Sequence, residues 1–260
     1  MKSFKKSLEY YFYRSKVKFL SKLNILKKSS KILKNTLSSP QNKIIIQVGA
    51  NDGVGGDPLR SFLIKKGNYT AILFEPLFYA ETLKKLYQER SDIKIIKKFV
   101  SSTVLKKRQI FYIHPSVVSS MNGIGPQNDW ASGQGSSSKK FIINEIRKNF
   151  FRGPSYIKNF KKYCNSIKSK TVYSTKISNF KVPSSLISIL VIDVQGHELY
   201  VLKSVNFEKQ KFNLIYYEDE DPISKNSKKI RNLLKINKYK LVGIEGADYA
   251  WLYWPRKFKK

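Results

Sequence analysis

Two short runs set the chemistry this chain could perform. Gly49-Ala50-Asn51-Asp52-Gly53 follows the apolar stretch Lys43 to Val48, and Asp193-Val194-Gln195-Gly196-His197-Glu198 follows Ser188 to Ile192. Glycines at such points let the backbone turn tightly and approach a ligand with no Cβ between them. Carboxylates beside them can accept hydrogen bonds from hydroxyls, take up a proton or neutralise a cation. Between the two runs lies Phe74-Glu75-Pro76, where a carboxylate at the tip of a second strand could accept both hydrogen bonds of a ribose diol. The chain holds only 18 acidic residues, yet Asp52, Asp57, Glu75, Asp193, Glu198, Glu218, Asp219, Glu220 and Asp221 all fall at or just beyond expected strand tips. Negative charge retained there would attract a cationic ligand. Solvated loop residues and helix caps are the alternative reading of the same positions.

A hydroxyl that must act as a nucleophile needs a nearby base, and His197 and Asp193 are the candidates, with His114 as the third histidine-or-carboxylate choice. A lone histidine at a helix start also has an ordinary structural reading. Glu218 to Asp221 together with Asp193 could hold magnesium or calcium, which prefer oxygen ligands, but loop exposure is the preferred reading of the cluster, and no metal is assigned. Trp130, in a Gly/Ser-rich stretch, could stack on a sugar ring, whereas the Trp251-Leu252-Tyr253-Trp254 run reads as core and edge-strand packing. The single cysteine, Cys164, excludes an internal disulfide framework and a multi-cysteine zinc site, and reads as a small core residue.

The formal charge of +32 invites a nucleic-acid reading. Only eight of the fifty basic residues are Arg, the usual reader of base edges and phosphate forks, and the lysines are spread along the whole chain. Nucleic acid is therefore not the expected partner. No run approaches the roughly 20 apolar residues of a membrane span, and the start has no signal-peptide pattern, so the expected location is cytoplasmic.

These residues must be positioned by a sheet. Residues 1–40 are Lys/Ser-rich, with Phe4, Leu8, Phe12, Phe19, Leu23 and Leu26 at helical spacing, so they read as a basic helical extension closed by Pro40. Such a helix could rest peripherally on an anionic membrane or pack beneath the main domain. From residue 41 to 260, strands and helices alternate as in βαβ units. Strands are expected at 44–48, 70–74, 93–100, 109–113, 171–173, 188–192, 213–217, 240–244 and 249–254. Helices are expected at 58–66, 78–89, 141–164, 197–203 and 224–236, with a loop and helical insertion at about 114–170. The hairpin end favours an antiparallel edge on an otherwise parallel sheet.

Glycine spacing narrows the ligand. The chain has neither G-x-G-x-x-G at the first loop nor G-x-x-x-x-G-K-[ST], so a dinucleotide pyrophosphate cradle and a P-loop are both unsupported. Asp52 would repel a phosphate, and a ligand combining a ribose with a cation, such as S-adenosylmethionine, suits these carboxylates better. Gln47-Val48-Gly49-Ala50-Asn51-Asp52-Gly53, Asp57-Pro58-Leu59, Phe74-Glu75-Pro76 and Ile192-Asp193-Val194-Gln195-Gly196-His197-Glu198 before Val201-Leu202 resemble the FkbM family of S-adenosylmethionine-dependent methyltransferases, over about residues 43–254. The resemblance implies a class I methyltransferase (Rossmann-like) α/β fold, cofactor contacts from Gly49, Asn51, Asp52 and Gly53, a ribose contact from Glu75, and Ser101 and Ser102 near the adenine. It also implies methylation of a hydroxyl on a sugar, glycan or other small molecule. One departure is visible, because the family often has Asp-Val-Glu-Gly where this chain has Asp193-Val194-Gln195-Gly196. An RNA methyltransferase, or a non-catalytic module on nucleic acid or an anionic membrane, are the rival readings.

Overall fold

The computed structural model describes residues 2–105, 107–113, 135–151 and 160–255, without the side chains of residues 2–6 and 149. Candidate residues His114 and Trp130 lie outside the described residues.

The chain builds one seven-stranded sheet around its most apolar run. Strand β1 (Lys43–Val48) is buried along its whole length and lies at the centre. On one side it pairs in parallel with β2 (Tyr69–Phe74), which pairs with β3 (Ile93–Ile96). On the other side it pairs in parallel with a strand from far along the chain, Ile187–Ile192, and that strand with Leu214–Glu218. In chain order these two are β9 and β10, because β4 (Phe99–Val100), β5 (Arg108–Ile113), β6 (Gly135–Ser136), β7 (Ile167–Val172) and β8 (Ser174–Thr175) lie outside the main sheet. β11 (Tyr239–Glu245) and β12 (Asp248–Tyr253) form the closing hairpin, with β12 antiparallel to both β10 and β11. The spatial order is β11-β12-β10-β9-β1-β2-β3. This is a mixed α/β fold with a mostly parallel sheet.

Alternate residues of each strand feed two cores, which is why these strands read as continuous apolar runs. Ile46, Val48, Phe74, Leu190, Ile192, Ile215 and Tyr217 face helices α7 (Glu198–Leu202) and α8 (Lys225–Ile236) through Val201, Leu202, Ile230 and Leu234. Ile45, Leu73, Ile189, Val191 and Leu214 face the other side, against Leu33 and Leu37 of α2 (Ser29–Leu37), Leu63 of α3 (Arg60–Leu63) and Leu83 of α4 (Tyr79–Leu86). Trp251 and Tyr249 are buried in the first core, as edge-strand packing requires. Cys164 is partly buried in a third, small cluster beneath α5 (Lys139–Phe151), at the end of α6 (Phe160–Asn165).

The N-terminal segment straddles one edge of the sheet as two helices: α1 (Lys2–Lys22) packs on the first core through Tyr13, Val17 and Leu20, and α2 packs on the second through Leu33 and Leu37. Between them Lys27 bridges the outer edge of the sheet: its N–H donates to Val242 O at 3.0 Å and its carbonyl accepts from Ile244 N at 3.0 Å. That pairing covers an edge that would otherwise recruit other strands.

Three expected boundaries are corrected. The strand expected over 93–100 is two strands: Lys98 N–H closes a turn on Ile96 O at 2.9 Å, and Phe99 and Val100 leave to pair with Ser174 and Thr175. The helix expected over 58–66 is a single turn, Arg60–Leu63, fixed at its start by the Asp57 carboxylate on Leu59 N–H at 2.9 Å. The strand expected over 171–173 starts at Ile167, because its solvated face masks it in the sequence while its backbone pairs along β5.

The edge contact rests on one missing side chain. A Cβ at Gly243 would lie 2.5 Å from Ile32 Cδ1 and 3.0 Å from Lys27 O. Gly243→Val should therefore lower unfolding free energy by about 1–3 kcal/mol in a urea titration, with α1 and α2 becoming protease-sensitive first.

Candidate active site

Register puts the chemistry on one rung. Val48 pairs with Phe74 on one side and Ile192 on the other, and Ile192 pairs with Tyr217. The next residues, Gly49, Glu75, Asp193 and Glu218, therefore leave four adjacent parallel strands at the same height. This is also where the strand order reverses, between β1 and β9, the crevice in which open α/β sheets bind ligands.

Gly49 makes the crevice. At φ +82° it holds a conformation that L side chains rarely adopt, and a Cβ there would fall 1.7 Å from Asp193 O. Its N–H, like that of Ala50, donates to Phe74 O, at 3.0 and 3.1 Å respectively. The loop then turns at Asn51, φ +48°, whose backbone N–H donates to Glu75 Oε2 at 3.1 Å. Glu75 Oε1 accepts from Leu77 N at 2.9 Å. Buried at the tip of β2, Glu75 has its pKa raised to about 7 by desolvation, against the lowering pull of those two N–H groups. Each oxygen retains one lone pair for a ligand donor.

These tips enclose a cavity of about 320 Å³ lined by Gly49, Asn51, Asp57, Glu75, Asp193 and Glu218 among others. Gln47 reaches it from the penultimate position of β1: its Nε2 donates to Asp57 Oδ1 at 2.9 Å, while its Oε1 is buried without a partner. Asn51 Oδ1 is likewise buried and unpartnered. Desolvation raises the Asp57 pKa. Lys98, Tyr79, Ile110 and Gly135 complete the wall. None of these four carried a motif, and only the fold brings them here.

The other expected cofactor residues sit differently. The Asp52 carboxylate turns onto its own loop, accepting from Val54 N at 2.8 Å and Gly55 N at 3.2 Å. Gly53, at φ +70°, packs against α4, where a Cβ would meet Leu83 Cδ2 at 2.7 Å. Ser101 is fully buried with its hydroxyl 3.2 Å from His197 Nε2, and Ser102 is half-buried. Neither serine lines the cavity.

Asp193 and Glu218 form a hydrogen-bonded carboxyl pair. Gln195, held at φ +52°, clamps it by donating from Nε2 to Asp193 Oδ1 at 2.9 Å and to Glu218 Oε2 at 3.0 Å. Burial and the neighbouring Asp193 charge push the Glu218 pKa up to about 9, and burial raises Asp193 as well. Glu218 therefore keeps its proton at neutral pH.

His197 lies behind this pair rather than in the cavity. Its ring sits between Phe99 and Tyr200, with Nδ1 3.2 Å from Ser137 Oγ and Nε2 within 3.5 Å of both Ser101 Oγ and Arg108 Nη1. Desolvation and then the Arg108 charge lower its pKa to about 3, so it stays neutral. It lines a separate recess with Arg108, Ser136 and Tyr200.

A second cavity of about 510 Å³ opens on the far side of the carboxyl pair, sharing Gln195 and Glu218 with the first. Phe141, Asn144, Glu145, Glu198 and Asp219 contribute to its wall. The acidic run sorts its members: Asp219 is buried and accepts from Ser227 Oγ at 2.6 Å, whereas Glu220 pairs with Lys148 at 3.1 Å. Among the described residues no group of three or more His, Cys, Asp or Glu side chains is arranged to hold a metal ion.

The raised Glu218 pKa has a sign that can be checked. Between its ordinary value of 4.5 and about 9 the folded state binds more protons than the unfolded chain. Stability from this group is present below the lower value and is lost as pH rises through the window. His197 acts oppositely, losing stability as pH falls below 6.5. Glu218→Gln should therefore flatten the alkaline decline in melting temperature while leaving the acid limb, which is a comparison of two thermal-melt series across pH.

No curated protein matches the chain. The protein-family description "Methyltransferase FkbM domain" matches residues 47–241, from the buried Gln47 at the tip of β1 through β10 and into β11. That span covers well over half of the sequence and contains every cavity residue named above, and the chain belongs to the FkbM methyltransferase family.

Proposed function

We propose that this methyltransferase uses S-adenosylmethionine and transfers the methyl group to a hydroxyl of a sugar, glycan or related metabolite. The observation that carries the reading is the single rung formed by Gly49, Glu75, Asp193 and Glu218 at the switch point. The residues fit the cofactor. Gly49 leaves the close approach open, Glu75 offers two oxygen lone pairs to a ribose diol, and Asn51 and Gln47, whose side-chain oxygens are buried without partners, line the same cavity. The carboxyls of Asp57, Asp193 and Glu218 line the same cavity and favour a cation. The strand order, with three parallel strands on one side of the switch point and an antiparallel hairpin closing the other, supports a class I methyltransferase arrangement.

When bound, S-adenosylmethionine supplies an electrophilic methyl on a sulfonium. The protein's part is to hold an acceptor oxygen in line with it and to receive the hydroxyl proton. Asp193 is the acceptor of that proton in this reading, because it lines the cavity and burial has raised its basicity. Glu218 hydrogen-bonds to it, and Gln195 fixes both carboxyls. A glutamate at position 195 would add a third acid to this pair, whereas the amide supplies the donor that the two carboxyls need. His197 positions the segment through Ser137 and Ser101.

The second cavity supports a polyhydroxylated acceptor. Its carboxylates and Asn144 accept hydroxyl hydrogen bonds, and Phe141 offers an apolar face.

Two measurements test this. By calorimetry, Glu75→Gln should weaken S-adenosylmethionine binding by roughly 10- to 100-fold, the worth of a hydrogen bond to a charged group, while equal affinity would count against the assignment. With acceptor turnover in hand, Asp193→Asn should lower kcat on the order of 100-fold or more at saturating cofactor, and a loss below about tenfold would remove Asp193 as the proton acceptor.

A further inference from the structure

Helix α1 has two apolar faces, and only one is used by the fold. Tyr13, Val17 and Leu20 share one side and pack on the core. That side is pinned: the Tyr13 hydroxyl is 2.8 Å from that of Tyr249, Arg231 lies over the Tyr13 ring, and Arg14 Nη1 donates to Gly246 O at 3.1 Å. At 3.6 residues per turn the opposite side carries Leu8, Tyr11, Phe12 and Phe19, and Leu23 in the turn that follows extends the stripe. These are exposed by 46, 71, 65, 60 and 53% respectively, and Ile25 just beyond the helix by 59%. Because the inner face fixes the rotation of the helix, the outer stripe cannot be turned inward.

A stripe of five large apolar residues on a pinned helix marks an interaction surface rather than scattered exposure. Charge names the partner. The helix has seven basic residues and one acidic residue, Glu9, and Glu9 is paired with Lys228 of α8. Exposed Lys16 borders the stripe on one side, and Lys18 and Lys22 border it on the other. A second copy of this +32 chain would bring like charge against like charge. An anionic polymer would satisfy the lysines and leave Leu8, Phe12, Phe19 and Leu23 in water. A bilayer containing anionic phospholipid satisfies both, with the apolar stripe entering the acyl boundary and the lysine amines reaching the headgroups.

We propose that the outer face of α1 docks the enzyme on an anionic phospholipid surface. No helix among the described residues is long and apolar enough to cross a membrane, so the contact is peripheral. It is independent of the cofactor and acceptor assignments above.

The test is flotation of the full chain with vesicles of phosphatidylcholine alone and of phosphatidylcholine with roughly one-third phosphatidylserine. Wild type should float with the anionic vesicles and not with the neutral ones. Lys16→Gln/Lys18→Gln/Lys22→Gln should lose on the order of 100-fold in partitioning, from about fivefold per lysine. Phe12→Ser/Phe19→Ser should lose comparable affinity with an unchanged melting temperature, since neither ring contributes to the core. The proposal is overturned if wild type ignores anionic vesicles, or if the phenylalanine variant binds them as wild type does, which would indicate polyanion attraction alone. It is equally overturned if light scattering shows a dimer that the phenylalanine variant abolishes.

Discussion

The approach of Gly49 to the Asp193 carbonyl governs this structure. Two parallel strands, β1 and β9, run side by side to their ends, and the chain can open a crevice there only if the first residue beyond β1 has no side chain and turns through positive φ. With that satisfied, the loop from Gly49 to Gly53 folds back over the tip of β2 and its backbone N–H reaches Glu75. The rest of the site is a consequence of register. Four strand ends stand level, so four residues remote in sequence share one wall.

Charge distribution gives the same site its character. Lysine dominates the surface, whereas the cavity wall sets four carboxyls, Asp57, Glu75, Asp193 and Glu218, against one lysine, Lys98. Desolvation raises the pKa of each, so without a ligand part of this set is protonated near neutrality. A cation entering the cavity would return protons to solvent and recover the interaction that burial withholds. Gln195 matters for the same reason: an amide between two carboxyls supplies a donor where another acid would add repulsion.

Much of the main sheet was legible in the sequence because its strands are buried on both faces, and such runs as Ile44-Ile45-Ile46 announce themselves. The break after Ile96 was not legible. Apolar residues continue through Phe99 and Val100, and what ends the strand is a partner, Ser174-Thr175, more than seventy residues away. Glu75 could be placed from the rule that carboxylates at strand tips face ligands. The orientation of Asp52 could not, since it is set by the N–H groups of Val54 and Gly55 curling round its carboxylate. Among the four consecutive acids at 218–221, only the pairing of β10 with β9 shows that Glu218 faces Asp193 while Glu220 faces solvent and Lys148. Gln47 carried the one overlooked signal, a lone amide inside an apolar strand, and it now contacts Asp57. The apolar residues of α1 suited either a packed or a membrane-facing helix because they occupy both sides, one of which the fold has taken.

The central claim is that the crevice between β1 and β9 holds the adenosyl group. A crystal structure with S-adenosylhomocysteine tests it most directly. The account predicts that the ribose hydroxyls lie within hydrogen-bond distance of the Glu75 carboxylate and that the sulfur faces Asp193 and Glu218. An adenosyl group bound elsewhere on the molecule, or one in this crevice whose ribose does not touch Glu75, would contradict it.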